Sequence, residues 1–235
     1  MTGVPRRRGD RAGRSTGTDH PPAGPTTLVV IAKEPVPGRV KTRLTPAYSP
    51  AEAALLARAA LCDTLRAVAA APARRRVLLL DGSPGPWLPA AGFDVVPQPD
   101  GGLDERLAAG FAACSGPTLL IGMDTPQVGT GPLAPVLAED AWTGADAWFG
   151  PAEDGGFWAL GLADPDPGLV LGVPMSTHRT GAVQRRRLTD AGLRVRDLPP
   201  LVDVDLPADA ARVARDYPDG LFAAEVRAAG LRGRR

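Results

Sequence analysis

The chain has 235 residues, a formal charge of +1, 44% hydrophobic residues and only two cysteines and two histidines. That balance gives no electrostatic case for a nucleic-acid partner, and no apolar run approaches the roughly 18 residues that a membrane-crossing helix needs. Cys62 and Cys114 lack CxxC spacing, and with two histidines they support neither a disulfide framework nor a zinc site. The expectation is therefore a cytoplasmic protein with free thiols, no nucleic-acid partner and no membrane insertion.

Residues 1–25 hold five arginines, four prolines and five glycines against two aspartates. Such a segment cannot bury a core and is expected to be disordered. No apolar stretch of about 7–15 residues follows Arg6-Arg7-Arg8, so the segment does not read as a secretion signal. Residues 26–222 then have the length of one α/β domain, and residues 223–235 read as a basic C-terminal extension.

Leu28–Ala32 is a short β-branched run suited to a strand buried on both faces. Pro35, Pro37 and Gly38 force a loop after it, and Lys33, Arg39, Lys41 and Arg43 crowd that loop with positive charge. The chain has two lysines among its 27 basic residues, and both fall here. Lysine offers phosphate a compact, mobile point charge where arginine offers a planar fork. A strand emptying into such a loop suits an anion site, with a solvated basic turn as the simpler reading.

Ser49, Pro50 and Glu52 open a helix as N-cap, first residue and first-turn acid, and Pro72 stops it. Strands are predicted at residues 76–81 and 93–96, then a loop from Gln98 through Gly102 and a helix over 103–114. Thr118–Gly122 is the fourth strand and delivers Asp124 at its carboxyl end, where open parallel sheets bind their ligands. Asp124 is either a hard oxygen ligand for Mg²⁺ or Mn²⁺ or a turn and N-cap residue. Strands over 147–150 and 157–162 flank Glu153-Asp154-Gly155-Gly156, in which glycines let backbone approach a ligand closely or simply make a hairpin loop. A helix over 181–191 ends at Gly192. His178 precedes it and is more readily a surface residue than a catalyst. Residues 201–209 read as an alternating strand, with Asp203 and Asp205 on one face, running into a helix over 209–216; these carboxylates at the sheet ends, opposite the cationic loop, outline a metal–polyphosphate site, or Asp205 and Asp209 are helix caps.

Four segments, Ala32–Leu44, Gly122–Pro126, Gly150–Phe157 and Asp203–Asp209, stand in an order and spacing that resemble the DUF2064 family of GT-A-type glycosyltransferase-like proteins. The resemblance spans roughly residues 27–215. It implies an α/β fold, a three-layer α/β/α sandwich of the Rossmann-like nucleotide-diphospho-sugar transferase type, with a mostly parallel mixed sheet. It implies a nucleotide site formed by Lys33, Gly38, Arg39, Lys41 and Arg43, with Gln98 and Arg106 near base or ribose. Asp124 and Asp205 would hold Mg²⁺ or Mn²⁺, and Glu153 and Asp154 would face the transferred group or its acceptor. The implied activity is glycosyl transfer from a nucleotide-sugar to a small-molecule acceptor. The alternatives are nucleotidyl transfer from a nucleoside triphosphate with release of pyrophosphate, and nucleotide binding without turnover. The chain departs from the family in having Thr125 where a cysteine is usual and Met175 where a tryptophan is common. Neither departure removes a charged group.

Overall fold

A computed structural model describes residues 24–88 and 92–232; the expected tail lies almost wholly outside them. Seven strands form one sheet in the order β3-β2-β1-β4-β6-β5-β7, with β1 Thr27–Lys33, β2 Arg75–Asp81, β3 Asp94–Pro97, β4 Thr118–Gly122, β5 Ala147–Pro151, β6 Phe157–Leu162 and β7 Val195–Asp197. β1 to β4 run parallel, β6 is antiparallel to both β4 and β5, and β7 is parallel to β5. The helices are α1 Pro50–Ala70, α2 Leu103–Ala112, α3 Thr130–Leu137, α4 Thr180–Asp190, α5 Pro207–Asp216 and α6 Leu221–Arg232.

Strand alternation sorts the core into layers. Leu28, Val30 and Ala32 of β1 join Leu61, Leu65 and Val68 of α1 and Leu133 and Val136 of α3 on one face. Val29 turns the other way, with Val77, Leu79 and Leu120, onto Leu107 and Phe111 of α2 and Leu188 of α4. Central strands are therefore apolar on both sides, as their sequence runs require. The fold is the expected α/β/α sandwich on a mixed sheet. Among the described residues no helix is long and apolar enough to cross a membrane.

Local signals explain the element ends. At α1 the Ser49 hydroxyl accepts from the Glu52 amide (3.3 Å), while the Glu52 carboxylate accepts from the Ser49 amide (2.9 Å), closing a capping box. Helix α4 ends in a Schellman pair: Gly192, at φ 79°, donates to Thr189 at 2.9 Å and Leu193 donates to Leu188 at 3.1 Å. Cys62 and Cys114 are free and half-buried, and burial pushes both thiols up.

Three expectations change. Residues 201–209 do not form a strand: Leu201 makes a single bridge to Ala152, and β7 takes the sheet edge upstream. The Pro199-Pro200 pair lacks the amide donors a ladder needs, and α5 begins at Pro207. Residues 223–235 are not an appendage as far as Arg232: Phe222, Ala223 and Ala229 of α6 are buried, the first two against α1 and α5. Asp63 of α1 caps α6 from outside, accepting from the amides of Leu221 (3.0 Å) and Phe222 (2.8 Å). Finally, α3 and β7 are absent from the sequence-based assignment.

Candidate active site

The carboxyl ends of β1 and β4 open into a cavity of about 1100 Å³. In parallel register, Ile31 of β1 lies beside Gly122 of β4. The loop after β1 and the turn after β4 therefore leave the sheet side by side. Lys33, Arg39, Lys41 and Arg43 line the cavity from the first; Asp124 lines it from the second.

The segment Val202–Asp205 crosses these strand ends and is fastened to them. The Val204 amide donates to the Asp124 carbonyl at 3.0 Å, and the Gln127 amide nitrogen donates to the Val202 carbonyl at 2.6 Å. Asp203 and Asp205 both reach the cavity. Of the two neighbouring aspartates weighed as caps, Asp209 does that work, its carboxylate accepting from the Leu206 amide at 2.7 Å. Asp205 is left for the site.

Lys41 joins these pieces. Its backbone is left-handed at φ 49°, an uncommon state for a residue with a Cβ, and its side chain is only 6% exposed. Its ammonium lies 2.8 Å from Asp124 Oδ1 and 3.8 Å from Asp205 Oδ1, and it donates to the Val204 carbonyl. Arg43 pairs with the other oxygen of Asp205 at 2.7 Å. Two aspartates from distant parts of the chain thus share one cation. Lys41, expected as a phosphate contact, also serves as an internal counter-ion to Asp124 and Asp205.

Asp203 is the residue to which the sequence reading gave no role of its own. It is largely buried, and burial together with the neighbouring charges of Asp124, Asp154 and Asp205 pushes its carboxyl up to about 7, against the opposing pull of Lys41. The signal was its period-2 relation to Asp205; its depth was not visible in sequence.

The remaining candidates divide. Gln98 donates to the carbonyls of Ala32 (2.8 Å) and Leu79 (3.0 Å), so it ties the ends of β1 and β2 together. Arg106 donates to Asp81 at 3.0 Å and to Gln98 at 3.3 Å. Both line the cavity, braced by protein partners. Gly38 does not line it: at φ 77° it serves the turn that precedes Arg39. Glu153 is held by Arg212 through two hydrogen bonds of 2.6 and 2.9 Å, and Arg212 holds its carboxyl below the ordinary range, so it is a poor proton acceptor. Asp154 lines the cavity with one oxygen on the Gly156 amide at 2.8 Å. The glycines beside it approach protein backbone rather than a ligand: a Cβ on Gly155 would stand 2.1 Å from the His178 carbonyl, and Gly181 donates to the Gly155 carbonyl at 2.8 Å. His178 is exposed at the cavity rim.

Among the described residues no group of three or more His, Cys, Asp or Glu stands arranged around a metal position. The donors nevertheless suit a hard divalent ion: Asp124 and Asp205 already share a cation, and Asp203 is a buried carboxylate crowded by like charges.

The sequence profile described as "Uncharacterized protein conserved in bacteria (DUF2064)" matches residues 64–177. No curated protein matches. Among solved structures, a Desulfovibrio desulfuricans protein provisionally described as a nucleotide-diphospho-sugar transferase superposes with a TM-score of 0.76 at 24% identity, over 87% of this chain and 94% of that one. A homologue of Mycobacterium tuberculosis Rv0371c, from Mycobacterium sp. strain JC1, superposes with a TM-score of 0.53 at 19% identity, over 87% and 98%. The basic loop and Asp203–Asp209 lie outside the profile match, so their part in the site rests on geometry. Residues 64–177 thus match the DUF2064 profile, and the chain shares its α/β fold with the D. desulfuricans protein.

Proposed function

We propose that the protein is a divalent-metal-dependent transferase whose donor is a nucleotide-activated sugar. The observation that carries this reading is the convergence of Asp124 and Asp205 on one cationic position, beside an arginine-bearing loop, at the strand ends of this fold. Arg39 and Arg43 would bind the donor diphosphate, and Asp124 with Asp205 would hold Mg²⁺ or Mn²⁺, with Asp203 behind them. Such an ion supplies positive charge where the diphosphate leaving group develops negative charge. Gln98 and Arg106 shape the wall expected to meet ribose or base. With Glu153 taken by Arg212, Asp154 is the acid left to accept a hydrogen bond from the acceptor hydroxyl. The structure of the D. desulfuricans protein supports the fold of this reading, while the choice of donor rests on the site.

The test is thermal stabilisation with and without Mn²⁺ against nucleoside diphosphate sugars and nucleoside triphosphates. A ligand at 100 times its Kd adds about 2.7 kcal/mol of stability. Metal-dependent stabilisation by one sugar nucleotide, followed by release of nucleoside diphosphate on turnover, is the expected result. Stabilisation by a triphosphate alone, with pyrophosphate as product, would assign nucleotidyl transfer instead. Binding with no turnover by any acceptor would leave a nucleotide-binding protein.

A further inference from the structure

Lys41 is tightly specified for a loop lysine. Its backbone sits in the left-handed region, its side chain is almost fully covered, and its ammonium is enclosed by Asp124 Oδ1, the Val204 carbonyl and Asp205 Oδ1. The carboxylates that suit a divalent ion are the ones it occupies. An ammonium 2.8 Å from Asp124 Oδ1 and 3.8 Å from Asp205 Oδ1 would repel a divalent ion placed between the same two carboxylates, and Lys41 lies on a loop whose outer arginines face the cavity.

We infer that Lys41 is a tethered cation that competes with the divalent metal for the place between Asp124 and Asp205. On the proposed transferase reading, the donor phosphates draw the ammonium out as the metal enters, so Lys41 enforces joint binding of nucleotide and metal. The free protein keeps its acid cluster neutralised without metal, and metal alone binds weakly because it must displace a covalently attached rival. Lys41 is thus a positioning residue that changes partners between the free and loaded states.

The experiment measures Mn²⁺ affinity of the full chain from the electron paramagnetic resonance of unbound Mn²⁺, with no nucleotide present. Wild type is compared with Lys41→Met, Lys41→Gln and Arg43→Met, each checked for folding by circular dichroism. Arg43→Met removes the same unit of charge beside Asp205 without emptying the place between the two aspartates. The expected result is a gain in Mn²⁺ affinity of about tenfold or more for the Lys41 variants and a clearly smaller one for Arg43→Met. Equal gains would reduce Lys41 to general electrostatics and overturn the inference, as would unchanged or weakened binding in the folded Lys41 variants. A second measurement adds UDP or GDP, corrected for chelation in protein-free solution. Nucleotide should raise Mn²⁺ affinity in wild type and lose most of that effect without Lys41. The first readout uses metal alone, so failure of every nucleotide to bind would refute the donor assignment while leaving the competition measurable.

Discussion

Replacing Asp203 by Asn should make the metal-free protein more stable at alkaline pH and, in the same molecule, blunt its response to metal. The carboxyl has an ordinary value of 3.8 and sits at about 7 in the fold. Well below pH 3.8 it is protonated in both folded and unfolded chains and costs nothing. As pH rises through 3.8 the unfolded chain releases its proton first, so stability falls until about pH 7, where the folded site also ionises. That rise corresponds to a cumulative loss of about 4 kcal/mol. Asparagine has nearly the same shape and never ionises, so the variant escapes this loss. At about 2–4 °C per kcal/mol for a domain of this size, its Tm should exceed wild type by roughly 10 °C at pH 8.5 and converge with it towards pH 4.5. Thermal unfolding in EDTA across that pH range measures the difference. Saturating Mn²⁺ should then raise wild type more than the variant, closing or reversing the gap. A variant less stable than wild type at pH 8.5, or a gap independent of pH, would refute both the burial argument and the like-charge crowding around Asp203.

Other substitutions test separate parts of the structure. Asp63→Ala removes the side chain that receives the first amides of α6 and should cost about 1 kcal/mol in denaturant unfolding without altering ligand binding. Gly155→Ala forces a Cβ against the His178 carbonyl at a left-handed position, so it should lower Tm by several degrees and reduce turnover through displacement of Asp154. Glu153→Gln breaks an exposed ion pair with Arg212 and should leave Tm nearly unchanged; if Asp154 serves the acceptor, kcat survives Glu153→Gln and falls in Asp154→Asn. Full loss of kcat in Glu153→Gln would restore Glu153 to the chemistry.

The central strands were legible because burial on both faces writes itself as an uninterrupted apolar run, and β4 and β6 begin and end at the expected residues. Helix α1 was legible because Ser49, Pro50 and Glu52 each act within their own turn. β7 is only three residues long and gains its place from pairing with β5, and α3 carries Pro135 within it, so neither has a strong local pattern. Helix α6 hid behind its composition: arginines at its end suggested a tail, while Phe222 finds its partners far back on α1 and on α5. In the site, residue type and strand-end position revealed Asp124 and the basic loop. The partners did not follow from sequence, because they depend on where Val202–Asp205 crosses the sheet. Only that crossing sets Lys41 between two aspartates, buries Asp203 and gives Arg212 to Glu153.

The atoms that an added Cβ on Gly155 would meet first in the segment before α4 are main-chain atoms of residue 178. Shape on one side and chemistry on the other are thereby uncoupled. Position 155 admits little but glycine, whereas position 178 can exchange its side chain at the cavity rim without disturbing the loop that carries Asp154. Libraries that vary the cavity rim should therefore randomise 178 and leave 155 untouched.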